Sequence, residues 1–223
     1  MKYLACVLIG YLIGSVNPSY IIAKLRGFDI RRKGSGNAGA SNALILFGKS
    51  IGILCAIFDI AKATLAILLA SALFGELYLI LPVTGVACIL GHIFPFYMKF
   101  NGGKGLACLG GLILAYDWRI FLIMLAGEIV IALMTNYICF VPITASIILP
   151  IAYGILEENL PGALILCIST VVILLRHREN LRRIKNGTEM HLSFLWNKEK
   201  ETARILSKHE NADFSPTPTE DKE

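Results

Sequence analysis

Charge is scarce in this chain. Asp, Glu, Lys and Arg make up 17% of its 223 residues, while 56% are hydrophobic. An ordinary soluble domain carries about 25% charged residues, and one this apolar could not keep its surface wet, so the soluble class is excluded. Paired cysteines are also lacking. The six cysteines (Cys6, Cys55, Cys88, Cys108, Cys139 and Cys167) each fall in or at the end of a different apolar run, and none forms a C-x-x-C pair. They read as small apolar filler within a membrane rather than as disulfides or a metal site. No repeat of fixed period, no alternation of strand and helix patterns and no second domain can be found.

What the chain has in quantity is long apolar runs, near residues 2–24, 51–74, 77–98, 105–116, 119–135, 137–156 and 161–175. A helix needs ~20 residues to cross the hydrocarbon core. Most of these runs are long enough or nearly so. The Gly-rich run at 105–116 is too short to cross unaided and reads as a short helix shielded by neighbours or as a re-entrant piece. The first run follows a single Lys, as in a signal peptide. It continues to about Ala23 without a small-residue cleavage site, and is read as a retained first helix.

Charge placement sets the topology. Lys24, Arg26, Arg31, Arg32, Lys33 and Lys49 follow the first run, Lys99 and Lys104 follow the third, and Arg176, Arg178, Arg182, Arg183 and Lys185 follow the last. The second loop has only Glu76, and the sixth has Glu157 and Glu158. Positive charge gathers on the cytoplasmic side, and seven crossings put all three basic groups there. The expectation is an all-α integral membrane protein with seven transmembrane helices, N-terminus outside and C-terminus cytoplasmic. Residues 1–197 form one domain, and 198–223 form a polar, mobile tail. Leu192, Phe194, Leu195 and Trp196 are placed at the membrane interface.

Gly34-Ser35-Gly36-Asn37-Ala38-Gly39 spells G-x-G-x-x-G. A dinucleotide loop follows a buried strand and opens a helix. This one follows a spanning helix and the basic stretch LRGFDIRRK, so that reading fails. Glycines still bring backbone N–H groups close to an anion, with Ser35, Asn37, Ser41 and Asn42 as neutral partners and Arg31, Arg32 and Lys33 just upstream. The alternative is a glycine turn between helices, its basic residues serving orientation only. A second polar stretch, GHIFPFYMKFNGGKG (Gly91 to Gly105), lacks the P-loop spacing. Gly102, Gly103 and Gly105 are expected to form another backbone cradle around Lys104. A third, RHRENLRRIKNGTE (Arg176 to Glu189), holds His177, Asn180 and Glu189 among four arginines. Asp59 and Lys62, within the second run, pair at i, i+3 as a structural ion pair or as part of a site.

Together GSGNAGASN (Gly34 to Asn42), DIAKA (Asp59 to Ala63) and the second and third stretches resemble the bacterial acyl-phosphate:glycerol-3-phosphate acyltransferases of the PlsY type. The resemblance runs from about Leu12 to Glu189. It implies a multi-pass enzyme of the bacterial plasma membrane whose site faces the cytoplasm. The enzyme would move a fatty acyl group from acyl-phosphate to the 1-hydroxyl of sn-glycerol 3-phosphate, giving lysophosphatidic acid and phosphate. Ser35, Lys104, His177 and Asn180 are the implied catalytic residues. Gly34, Gly36, Asn37, Gly39, Ser41, Asn42, Arg31, His92, Gly102, Gly103, Gly105, Asp59 and Lys62 are the implied substrate-binding set. His92 and His177 are the base candidates by type, and a phosphate oxygen of the substrate is the alternative. No cofactor, metal or nucleic acid is expected; the partners are the two substrates and membrane lipid, and the chain is expected to be a monomer.

The sequence departs from the family pattern at several positions. Ile45 stands where an Arg is usual, Cys139 and Pro142 where serines are frequent, Asn17 where Pro is usual, and Cys108 where Thr is usual. With Ile45 in place of Arg, Arg31 or Arg32 is the candidate substitute. Two competing readings follow: a non-catalytic relative binding acyl-phosphate or phospholipid, and a transporter of a phosphorylated solute. The transporter reading is disfavoured by polar groups gathered at one boundary rather than at the midplane.

Overall fold

The computed structural model describes residues 1–75 and 77–213, so Glu76 and residues 214–223 lie outside it. Among the described residues the chain is helical throughout: α1 (Lys2–Ser15), α2 (Pro18–Leu25), α3 (Ala40–Phe47), α4 (Lys49–Phe74), α5 (Ile80–Ile93), α6 (Leu106–Tyr116), α7 (Trp118–Thr135), α8 (Phe140–Leu156), α9 (Leu160–Lys185) and α10 (Lys198–Asp213). Five stretches are long and apolar enough to cross a membrane: Lys2–Leu25, Lys49–Phe74, Ile80–Met98, Trp118–Thr135 and Leu160–Lys185. α6 and α8 are shorter apolar helices; α6, with 11 residues, extends about 16 Å.

The first apolar run is broken, which the sequence reading did not anticipate. Pro18 has no N–H to continue the ladder, and Val16 and Asn17 are extended. Asn17 caps α2 by accepting from the Tyr20 N–H at 2.9 Å, with Pro18 at the first helical position. The break leaves carbonyls without intrahelical donors inside an apolar segment. Tyr97 Oη donates to Ser15 O at 2.7 Å, and Lys62 Nζ donates to Val16 O at 2.6 Å.

α1 lies along α5, α4 along α6 and α8 along α9. The α1–α5 approach is as close as backbones allow. A Cβ at Gly10 would strike Thr84 O, one at Gly14 would strike Cys88 O, and one at Gly91 would strike Tyr11 O. Without a hydrophobic force between helices in lipid, such small-residue contacts supply dispersion energy. The main core joins Ile89, Ile93, Leu109, Leu112, Leu149, Leu166 and Ile173 across α5, α6, α8 and α9. Large apolar side chains cover the outside, among them Leu54, Leu65, Ile123, Leu133 and Ile151.

The connecting segments gather at two ends. At one, Arg31 reaches Met98 and Asn101, Arg176 reaches Asn101, and the Leu192 N–H donates to Asn136 O. At the other, Tyr116 donates to Glu157 and Asn159 to Tyr78 O. Two expectations at the first end need correction. Leu192 and Phe194 turn inward, leaving Trp196 exposed. Residues 198–213, taken in the sequence as part of a mobile tail, form α10 and dock through the buried Glu201.

Candidate active site

Three polar segments meet at the first end. The first, between α2 and α3, turns at Gly34 (φ +59°) and Gly36 (φ +74°), left-handed backbone that favours glycine. Asn42 holds this loop from within. Fully buried, it donates to Ile30 O, Lys33 O and Asn37 O at 3.0, 3.0 and 2.9 Å, and its Oδ1 accepts from the Ser35 N–H at 2.9 Å. Asn17 Nδ2 fastens the far side to Ala38 O at 2.7 Å. With its amide hydrogens taken by backbone carbonyls and the side chain buried, Asn42 shapes the loop from within rather than presenting a donor at the surface. Ser35, Gly36 and Ser41 face outward. Asn37 keeps a buried Oδ1 without a partner, and Gly39 caps α3.

Arg31 is likewise committed. Its guanidinium pairs with Asp29 at 2.7 Å and donates to Met98 O at 2.6 Å and Asn101 O at 3.3 Å, bracing the first loop on the second. That hydrogen bond holds the Asp29 carboxyl down at about 2. Arg32, with Lys24, Lys33, Gly27, Phe28 and Asp29, lines an open cleft beside the loop. Ile45 itself is half-buried on α3.

The second segment corrects the cradle expected at Gly102 and Gly103. Their N–H groups are spent on the end of α5, Gly102 donating to Ile93 O at 2.9 Å and Gly103 to His92 O at 3.1 Å. They are glycines because of crowding. A Cβ at Gly102 would meet His92 O, and one at Gly103 the His92 ring. Gly105 (φ +91°) then caps α6, whose first turn leaves N–H groups without intrahelical acceptors.

His92 forms the floor beneath this loop. Buried, it meets Lys62 Nζ through Nδ1 at 3.0 Å, and Lys62 pairs with Asp59 at 2.6 Å. Asp59, His92 and Cys108 converge closely enough to suggest a metal site. The Lys62 ammonium already lies against Asp59 and His92, so this donor set carries its own cation. Asp59, Lys62 and His92 are buried together beneath the second loop.

The third segment joins the second through Lys104, whose ammonium donates to Asn180 Oδ1. Asn180 Nδ2 donates to Glu189 Oε1 at 2.5 Å, and Arg183 Nε pairs with Glu189 Oε2 at 2.6 Å. Arg176 donates to Asn101 Oδ1 at 3.0 Å while its Nε is buried without a partner. Burial, then the nearby Arg183 guanidinium, lower the Lys104 ammonium to about 8, with Glu189 opposing. His177 Nδ1 lies 2.8 Å from Ile173 O, so it is the donor, and Nε2 is left with its lone pair. Burial pushes the neighbouring Cys139 thiol up to about 11, which makes it a poor nucleophile. Lys104, Asn180 and His177 thus fall in one cluster. Among the described residues no hydrogen bond links Ser35 to it; the second loop is tied to both sides.

Asn101 was missed as the shared acceptor of Arg31 and Arg176, and Asn17 as the anchor of the glycine loop. The Asn-Pro pair inside an apolar run was the available signal for Asn17. Nothing local marks Asn101.

The model of the glycerol-3-phosphate acyltransferase family matches residues 4–187. The chain belongs to this family. Among its relatives, the glycerol-3-phosphate acyltransferase of Thermotoga petrophila is 37% identical over 183 residues, covering 82% of this chain and 92% of the relative. That of Lactiplantibacillus plantarum is 35% identical over 207 residues, covering 92% and 100%. The crystal structure of PlsY, an integral membrane glycerol 3-phosphate acyltransferase, in its glycerol 3-phosphate form aligns with TM-score 0.80 at 33% identity, covering 87% of this chain and 98% of PlsY. The lysophosphatidic acid form aligns with TM-score 0.76 at 32% identity, covering 86% and 95%. This acyltransferase is therefore a PlsY-type, multi-pass membrane protein of phospholipid synthesis.

Proposed function

We propose that this chain transfers a fatty acyl group from an acyl-phosphate to the 1-hydroxyl of sn-glycerol 3-phosphate. The hydroxyl oxygen bonds to the acyl carbon, the anhydride bond to phosphorus breaks, and the alcohol proton ends on the departing phosphate. The products are lysophosphatidic acid and inorganic phosphate. The acyl-phosphate is already activated, so no covalent enzyme intermediate is needed. The protein has to align hydroxyl and carbonyl and stabilise the oxyanion.

The observation that carries this reading is the charge balance around Lys104. The charges that act on Lys104 are two further cations, Arg183 and Arg176, and one carboxylate, Glu189, which is taken up by Arg183 and Asn180. The surplus positive charge, partly removed from water, suits a phosphate monoester. Lys104 holds the glycerol phosphate; the unpartnered Asn37 Oδ1 and exposed Ser35 orient hydroxyl and acyl-phosphate; His177 Nε2 accepts from a substrate hydroxyl. The acyl chain lies between lipid-facing helices. Seven crossings, with the N-terminus outside and the site at the cytoplasmic face, agree with the alternation of connections between the two ends and with the basic residues at one of them. The chain acts as a monomer and needs no cofactor.

The test is phosphate release by purified protein in lipid given palmitoyl-phosphate, with and without glycerol 3-phosphate. Release that requires glycerol 3-phosphate, yields lysophosphatidic acid and is lost in Lys104→Ala and Ser35→Ala is the expected result. Folded protein without turnover, also after Ile45→Arg, would establish the non-catalytic reading instead.

A further inference from the structure

α10 lies beyond the residues matched by the family model, yet it touches the candidate site through a continuous set of contacts. Arg204 donates to Gly187 O and Glu189 O, both at 2.6 Å, and pairs with Glu201 at 2.6 Å. Buried Glu201 accepts from the His191 N–H at 2.8 Å and faces His191 Nδ1 at 3.3 Å. His191 Nε2 meets Tyr137 Oη at 3.1 Å, next to the start of α8. The backbone that Arg204 grips belongs to Glu189, whose carboxylate holds Asn180, whose amide oxygen receives Lys104.

We infer that α10 is a latch on the site and that Arg204 is a positioning residue for Lys104, acting through Glu189 and Asn180. The segment from Asn186 to Leu192 leaves α9 with a turn at Gly187 (φ +70°), and α10 grips it at Gly187, Glu189 and His191. An arginine suits the place because its planar fork serves two carbonyls and a carboxylate at once. Without it the Glu189 carboxylate loses its backbone anchor, and Lys104 loses the fixed acceptor that aims its ammonium. The inference rests on the proposed role of Lys104 in holding glycerol 3-phosphate.

The experiment compares full-length wild type, Arg204→Ala and Glu201→Gln in lipid, by two readouts. The first is the rate at which a water-soluble amine reagent modifies Lys104, scored by mass spectrometry against Lys49, and it needs no turnover. The second is the KM for each substrate. Lys104 modification is expected to accelerate in both variants while Lys49 is unchanged. The KM for glycerol 3-phosphate is expected to rise about tenfold in Arg204→Ala, with that for palmitoyl-phosphate little moved. Unchanged Lys104 modification with unchanged KM overturns the latch, and so does an equal rise in both KM values, which would report a merely structural role. Faster modification in protein that never turns over leaves the latch standing and removes the acyltransfer reading.

Discussion

Lys104 shows how a single charge can be tuned by its neighbours. Asn180 offers it a neutral oxygen, Arg176 and Arg183 repel it, and Glu189 draws it less than they and burial oppose it. With the ammonium lowered to about 8, the cation is complete below that pH and lost above it. The kcat/KM for glycerol 3-phosphate, which reports free enzyme, is expected to fall as pH rises through about 8. A profile flat to pH 10 would remove Lys104 from substrate binding. Asn42 makes a different point. Its amide nitrogen serves three carbonyls, so Asn42→Asp would set a buried carboxylate against three oxygens. Asn42→Asp is expected to cost about 3 kcal/mol or more and to exceed Asn42→Ala, as read from melting temperatures in detergent. If the two variants melt alike, the loop is not organised by that amide.

At the scale of elements, apolar length alone located the spanning helices, because the bilayer sets a minimum run and the sequence meets or misses it. The run at 105–116 stood out by its shortness and became α6, a helix inside the bundle. The tertiary details were less legible. That Gly102 and Gly103 are glycines because His92 lies beneath them depends on the chain returning to α5, which no local pattern encodes. The Asp59–Lys62 pair was legible from its i, i+3 spacing; its contacts with His92 and with Val16 O in the break were not. Removing one partner leaves a buried charge unpaired. Lys62→Met is therefore expected to destabilise by about 3–5 kcal/mol, and Asp59→Leu in the same chain to recover much of it. Additive losses in the double variant would mean that the pair is not a unit. On the α1–α5 contact, Gly14→Ala is expected to lose roughly 1–3 kcal/mol, because the methyl would meet Cys88 backbone that cannot give way. A melting temperature like that of the wild type would show that the two helices can separate without penalty.

For the whole molecule, the gathering of three polar segments at one end makes orientation a single testable property. A cysteine placed at Ser35 and one placed at Asn101 are expected to react with a membrane-impermeant thiol reagent only from the cytoplasmic side. A cysteine at Leu77 is expected to react only from outside. Opposite accessibility at Ser35 and Asn101 would break the common face. Five of the six native cysteines are buried, leaving only Cys167 to subtract as background.

The interrupted first span has a consequence for biosynthesis. Until α4 and the segment after α5 have been made, nothing can answer the open carbonyls at Ser15 and Val16, because their donors are Tyr97 and Lys62. Each unanswered carbonyl in hydrocarbon costs several kcal/mol, so the first segment has reason to wait beside the translocon instead of moving off into lipid. The ribosome has to deliver about a hundred residues before the opening twenty-five are at rest.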